Sequence, residues 1–294
     1  MRSGMVTILG RPNVGKSSLL NVLVGHKVSI VSHKPQTTRH RIQGVLHHAQ
    51  GQVVFVDTPG LHRVQKRALN RVMNEAAAGA ISDVDLILFV IEAGRWTEED
   101  QAVLEKLAGL PMPVALVVNK VDLIADKTRL LPELEKLGKL RDFAFIIPLS
   151  ASKKSNLDAL IKEILERLPE GPALYPEDMI SGNDSAFTAA ELVREKIIRN
   201  LHQELPYATT VEIEEYKREG NLDRISAIVW VEREGQKKIV IGKGGEALKR
   251  IGSSARRELE KMLGRKIMLK LWCKVRENWS DDPVALRRFG ISRE

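Results

Sequence analysis

Residues Gly10 to Ser17 read Gly-Arg-Pro-Asn-Val-Gly-Lys-Ser, and this octet restricts the fold more than any other part of the chain. It fits G-x-x-x-x-G-K-[ST] and lies between an apolar run, Met5 to Leu9, and a helical pattern over Lys16 to Val24. That is the strand-loop-helix context in which such a loop closes around phosphate. Gly10 and Gly15 free the backbone to bring N–H groups to an anion, and Arg11, Pro12, Asn13 and Val14 span the loop between them. The helix that follows favours negative charge at its start. In this setting Lys16 reaches the β- and γ-phosphates and Ser17 ligates Mg²⁺.

The sequence around the octet alternates short apolar runs with amphipathic ones, the rhythm of an α/β fold with a mostly parallel sheet and helices on both faces. Strands are expected at Met5 to Leu9, Gln52 to Val56, Asp85 to Ile91, Val114 to Val118 and Phe143 to Leu149, with Ile42 to His48 as an antiparallel edge. Helices are expected at Lys16 to Val24, Lys66 to Ala80, Glu98 to Leu107, Lys127 to Lys136 and Asn156 to Leu168. The 294 residues leave room for a second domain at about 150 residues each. Residues 1–168 form the first. Residues 169–187, rich in proline, glycine and polar turn formers, read as a linker that lets the domains reorient. Residues 188–294 form a small α+β domain: a helix at Thr188 to Gln203, strands at Thr209 to Tyr216 and Ile225 to Glu232, a short Gly-rich turn, a helix at Glu246 to Leu263 and a strand at Lys266 to Val275.

Three further segments of the first domain fall at strand ends. Asp57-Thr58-Pro59-Gly60 puts a carboxylate where it holds Mg²⁺ through water and a Gly60 N–H where it meets a γ-phosphate. In Asn119-Lys120-Val121-Asp122 the aspartate accepts from the N1–H and N2–H₂ edge of guanine, which adenine lacks, so the nucleotide is GTP or GDP and not ATP. Ser150-Ala151-Ser152 offers the Ala151 N–H to guanine O6. Singly these are weak signals, since Asp-Thr-Pro-Gly is ordinary turn chemistry. Together, and in this order, they define a guanine-nucleotide site.

With these motifs, and with Gln36-Thr37-Thr38-Arg39-His40, Glu204-Leu205-Pro206-Tyr207 and the run Val231 to Lys238, the chain resembles the Era-type family of translation-factor-class P-loop GTPases over both domains. The resemblance implies GTP hydrolysis, with Lys16, Thr38 and Gly60 at the reacting end. It implies that Ser17, Thr38 and Asp57 surround Mg²⁺, and that Asn13 is a candidate ligand for K⁺. Ras-like proteins carry a water-orienting glutamine directly after the Asp-x-x-Gly segment, whereas this chain has Leu61. Slow intrinsic hydrolysis is therefore expected. The resemblance further implies the 3′ region of 16S ribosomal RNA and the 30S subunit as partners, a monomer, and a cytoplasmic protein with peripheral contact at the inner face of the cell membrane. An RNA-binding adaptor with a non-hydrolysing nucleotide domain, or a GTPase of tRNA modification or another assembly branch, are the alternatives.

In the second domain Ile241-Gly242-Lys243-Gly244-Gly245 resembles the G-x-x-G loop of a type II KH domain, where glycines admit a nucleic-acid backbone. Here the charge distribution matters. Arg233 to Arg276 holds 14 basic and 4 acidic residues, a local excess of +10 against +8 for the whole chain, which attracts a polyanion. Lys243, Lys249 and Arg250 are the expected phosphate contacts, while Ile241 and Ile251 are expected in the groove floor and core. The remaining singular residues read blandly. His47 and His48 have no acid or cysteine spaced for a metal site, Trp230 and Trp272 fall in apolar strands and are expected in the core, and Trp279 lies in a polar tail, free to dock elsewhere. Cys273 is the lone cysteine, which excludes an intramolecular disulfide and favours a reducing compartment. No leader is expected before Met5, and the most apolar stretch, Leu107 to Val118, is too short and too proline-broken to span a bilayer.

Overall fold

A computed structural model describes residues 1–34, 36–60, 68–79, 81, 84–201 and 205–292. The chain divides into two compact units, Met1–Gln65 with Met73–Gly182, and Lys66–Val72 with Asn183–Glu294. In the first unit a six-stranded sheet runs in the order β2-β3-β1-β4-β5-β6. Its strands are β1 (Arg2–Leu9), β2 (Ile42–His48), β3 (Gly51–Asp57), β4 (Leu86–Glu92), β5 (Val114–Asn119) and β6 (Ile146–Pro148). Only β2 is antiparallel, paired with β3 at the sheet edge. The central strands are apolar on both faces, as a sheet covered on both sides requires: β3 and β5 are buried throughout.

Helices α1 (Lys16–Val24), α2 (Ala68–Gly79), α3 (Glu98–Leu107), α4 (Leu130–Gly138) and α5 (Leu157–Arg167) connect the strands. One core joins Ala77 of α2, Val103 and Leu107 of α3 and Leu137 of α4 to the alternate residues Ile87, Phe89 and Ile91 of β4. Because every crossover returns the chain to the same end of the sheet, the C-terminal ends of β1, β3 and β5 lie together, and a ligand at that edge meets three loops at once.

The expected linker is instead pinned along β2. The Val45 N–H donates to Ile180 O at 2.9 Å, and the Ser181 hydroxyl donates to Gln43 O at 3.0 Å. The Gln52 side chain donates to Tyr175 O at 2.8 Å and accepts from the N–H groups of Leu174 and Tyr175. The next helix, α6 (Ser185–Asn200), starts three residues earlier than the sequence suggests because the Asp184 side chain caps it through the Phe187 N–H at 2.7 Å.

The second unit is a three-stranded sheet, β7-β8-β9, in which β7 (Thr209–Glu219) runs antiparallel and β9 (Lys266–Val275) parallel to β8 (Leu222–Val231). A helix absent from the sequence reading, α7 (Glu234–Ile241), fills what was expected to be a short turn before α8 (Glu246–Leu263). The Gln236 side chain accepts from the N–H groups of Glu232 and Arg233 and fixes its start, and Val240 buries completely in the core with Ile197, Val229, Ile251 and Cys273. Two tryptophans exchange their expected places. Trp279 is fully buried, with Nε1 donating to Ala208 O at 3.1 Å and its ring edge-on to Phe289 of the segment after α9 (Pro283–Arg288). Trp272 is 42% exposed, because β9 is an edge strand whose even-numbered side chains point away from the helices. Among the described residues no helix is long and apolar enough to cross a membrane, and no cluster of His, Cys, Asp or Glu could hold a metal.

Candidate functional site: a nucleotide cavity and a basic groove

Gly10 adopts φ +153° where a Cβ would lie 2.3 Å from Val90 O, and Gly15 adopts φ +101° where a Cβ would meet Asn119 Nδ2 at 2.4 Å. No other residue fits either position, so the octet is shaped by close approach as well as by backbone freedom. Asn13 takes φ +65°, a conformation asparagine tolerates, and is exposed at the cavity wall. Lys16 is buried and donates to the carbonyls of Gly10 and Arg11, both at 2.9 Å. Burial pushes its ammonium down to about 8, against the pull of Asp57.

Asp57, at the end of β3, gathers two hydroxyls directly and a third through Ser17. Ser17 donates to Asp57 Oδ2 at 2.6 Å and Ser29 donates to the same oxygen at 3.0 Å. Since the one proton of Ser17 is committed to Asp57, Thr38 is the donor in the 2.9 Å contact between the two hydroxyls. Thr37 turns the other way, to Lys34 O at 2.6 Å. Asp57 Oδ1 is buried with no hydrogen-bond partner, and burial raises the carboxyl above the ordinary carboxylate range in spite of Lys16 and the two serines. One orphaned carboxylate oxygen beside two hydroxyls is a donor set that suits a small hard cation completing its shell with water and phosphate. Thr58 Oγ1 donates to Ile8 O at 3.1 Å, Pro59 is buried, and a Cβ on Gly60 would reach Pro12 at 3.0 Å, so this loop lies against the octet. Leu61 falls outside the described residues.

The guanine-side segments close the same cavity of about 410 Å³, whose wall includes Lys16, Thr38, Gly60, Asn119, Asp122 and Ala151. Asn119 staples them: Nδ2 donates to Val14 O at 2.8 Å while Oδ1 accepts from the N–H groups of Lys120 at 2.8 Å and Ala151 at 3.1 Å. Val121 opens a short 3₁₀ turn. The exposed carboxylate of Asp122 accepts from the hydroxyls of Ser150 and, at 3.2 Å, Ser152; the Ser150 contact leads in holding it below the usual carboxylate range.

The sequence reading missed the ion network behind the octet. Arg11, 5% exposed, pairs through Nε with the fully buried Asp100 at 3.0 Å and through Nη2 with Glu92 at 3.4 Å, and Glu92 also holds Lys120 Nζ at 2.9 Å. Burial alone would raise Glu92, but Lys120 and Arg11 keep it below the ordinary range. The octet and the guanine loop are thereby tied to the ends of β4 and α3. The one sequence signal was Thr97-Glu98-Glu99-Asp100, which forms a capping box at the start of α3 and fixes Asp100.

In the second unit Gly242, Gly244 and Gly245 adopt φ +73°, +59° and +84° between α7 and α8. A Cβ on Gly242 would strike Ala247 Cβ at 2.7 Å, whereas Gly244 and Gly245 have nothing within 4 Å. The first glycine lets the helices approach, and the other two leave the backbone open. The adjoining groove, about 330 Å³, is lined by Gly245, Leu248, Lys249, Gly252, Ser253, Arg256, Leu269 and Leu271. Its apolar floor is Leu248, Leu269 and Leu271; of the two isoleucines expected in the floor and core, Ile251 is fully buried in the core and Ile241 packs partly against it, and neither lines the groove. Lys249 lines the groove, Lys243 is exposed on the loop, and Arg250 is exposed one position round the helix, outside the lining; Arg256 takes the wall position instead.

Residues 5–120 match the family described as 50S ribosome-binding GTPase, and residues 204–280 match the KH domain family. The chain is 56% identical over 287 residues to GTPase Era of Stenotrophomonas maltophilia (strain K279a), covering 98% of this chain and 96% of that protein. It is equally similar, over 289 residues, to GTPase Era of Xanthomonas oryzae pv. oryzae (strain MAFF 311018), covering 98% and 97%. Two solved structures superpose with a TM-score of 0.96 at 42% identity. One is a variant of Aquifex aeolicus Era bound to GDP and AlF₄⁻, covering 99% of this chain and 100% of that one. The other is Era in complex with MgGDPNP and nucleotides 1506–1542 of 16S ribosomal RNA, covering 99% of each chain.

Proposed function

The chain belongs to the Era family of P-loop GTPases, and from that premise we propose that it is a GTP-hydrolysing switch that binds the 3′ region of 16S ribosomal RNA and acts in assembly of the 30S subunit. The observation that carries the reading is the single cavity with Ser17, Thr38 and the orphaned Asp57 oxygen at one end and Asp122 at the other. A guanine nucleotide spans these two ends, its base on Asp122 and Ala151 and its phosphates on Lys16 and the N–H groups of residues 13–17. Ser17, Thr38 and Asp57 hold the metal, and bound Mg²⁺ neutralises charge on the β- and γ-phosphates. Asn13 lies at the phosphate end of the wall, where by family resemblance it would be the ligand for K⁺.

Water attacks the γ-phosphorus, the bond to the bridging oxygen breaks, GDP leaves with the electron pair, and the attacking water keeps one proton on the released phosphate and gives the other to solvent. The ammonium of Lys16 turns from the Gly10 and Arg11 carbonyls to the phosphates, and the Gly60 N–H meets the γ-phosphate. Leu61, an apolar residue, stands where Ras-like proteins carry the water-orienting glutamine, so turnover is slow until a partner supplies that function. The G-x-x-G loop and groove clamp about four nucleotides of single-stranded RNA, with Lys243 and Lys249 on phosphates. The RNA partner and the lone buried cysteine support a cytoplasmic protein, while peripheral contact with the inner membrane face rests on family resemblance alone. Phosphate release from GTP and from ATP, each with and without RNA of the 16S 3′ sequence, tests the reading. GTP-specific turnover is expected; equal turnover of ATP, or none of GTP under any condition, would overturn it.

A further inference from the structure

Alternate residues of β9 divide sharply. Leu269 and Leu271 face the groove, while Lys266, Met268, Lys270, Trp272 and Lys274 form a row on the opposite face of the same edge strand. At about 3.3 Å per residue that row is ~26 Å long. Trp272 stands in register with Ile228 of β8, itself 2% exposed, whereas Trp272 is 42% exposed. Acidic side chains on this side belong to β7: Glu212 is engaged by Trp230 and Arg288, Glu219 by Arg224, and Glu215 by Lys217, with Lys270 close enough to help hold the Glu215 carboxyl below its ordinary range. Glu214 reaches Lys274 only at 3.9 Å between two half-exposed groups, a weak pairing. The basic edge is thus the β9 edge, and its lysines alternate with an open aromatic ring, the arrangement that holds single-stranded nucleic acid by stacking and backbone charge.

We propose that the outer face of β9 is a second RNA contact surface, where a base stacks on Trp272 and the flanking phosphates lie on Lys270 and Lys274. It extends the path of the strand that leaves the groove around the edge of the sheet. The proposal rests on the RNA-binding reading above. A G-x-x-G groove holds about four nucleotides, whereas the RNA bound by the Era relative, nucleotides 1506–1542, is far longer.

The test uses the full chain and two single-stranded RNAs of the 16S 3′ sequence, one of groove length and one roughly three times as long. Trp272→Ala weakens the longer RNA by about 10-fold and leaves the short one unchanged, and Trp272→Phe restores most of the loss. Lys270→Ala with Lys274→Ala lowers the salt slope for the longer RNA by about 1.4 and leaves that of the short one alone. Equal losses for both RNAs, or no change in the longer, would overturn the proposal. So would a dimer that Trp272→Ala dissolves while RNA affinity stays constant, which gives the face to a second copy of the chain. If the unmutated protein binds neither RNA, the functional reading falls with it; binding that is indifferent to residue 272 removes only this surface.

Discussion

The two sites are built on opposite principles. At the nucleotide site most polar groups are buried and engaged with one another, with Asn13 and Asp122 among the exposed exceptions: Lys16 with two carbonyls, Asp57 with two serines, Asn119 with three backbone groups, Arg11 with Asp100. At the RNA groove the charges stand exposed around an apolar floor, and two of the three glycines meet nothing. A buried polar array recognises by geometry, because each missing partner leaves another group unsatisfied. An exposed array recognises by field and by backbone access, so its members contribute in small, salt-sensitive steps. Single substitutions should therefore be severe in the first unit and graded in the second.

The largest effect is expected for Lys16→Ala, which removes the phosphate cation. GTP turnover should fall by at least about 10²- to 10³-fold while RNA affinity without nucleotide holds, as phosphate release and RNA titration would read. A companion measurement is pH. Nucleotide raises the Lys16 pKa above its free value of about 8, so binding takes up a proton above that pH. The GDP affinity of the unmutated protein should weaken as pH climbs through 8, and that of Lys16→Ala should not; a flat profile for both would remove the charge argument.

Asp122→Asn comes next, with GTP affinity down by roughly 10²- to 10⁴-fold and xanthine nucleotide gaining, since the amide matches the altered ring edge. Competition binding with the two nucleotides checks it, and undiminished GTP preference would sink the guanine assignment. Gly244→Asp is the corresponding change at the groove. Its Cβ meets nothing and its φ of +59° suits aspartate, so the fold should survive while RNA affinity drops by roughly 10- to 100-fold from one charge beside phosphate. Gly242→Asp would confuse the issue by forcing α8 away. The smallest effect is Lys249→Ala, which should weaken all RNAs alike, lower the salt slope by about 0.7 and leave GTP turnover alone; a sequence-dependent loss would make Lys249 a base reader.

What the sequence made legible follows the same divide. The limits of α1, β2, α3, α8 and β9 were readable because a buried strand end, a glycine or a capping residue marks each one. The octet, Asp57 and Asn119 to Asp122 were readable because phosphate and guanine demand fixed residue types at strand ends. Helix α7 was not: Gly235 and the run Ile239-Val240-Ile241 argue against a helix locally, and burial of Val240 decides otherwise. Arg11 counted only as a variable position of the octet, since its partners lie 81 and 89 residues away. Leu269 and Leu271 were strand residues until α8 packed beside them to form a groove, and Trp272 was assigned to the core because edge position is not encoded in a strand's own pattern.

On the proposed function the cavity governs access to the groove: Thr38 and Gly60 line the cavity, and the strand that follows Thr38, β2, carries the pinned segment that leads to Asn183. The most direct test is a titration of labelled 16S 3′-end RNA and a scrambled control, each with GDP and with a non-hydrolysable GTP analogue. The 3′-end RNA should bind more tightly than the control, and its affinity should differ between the two nucleotide states. Identical affinities for both RNAs in both states would contradict the account.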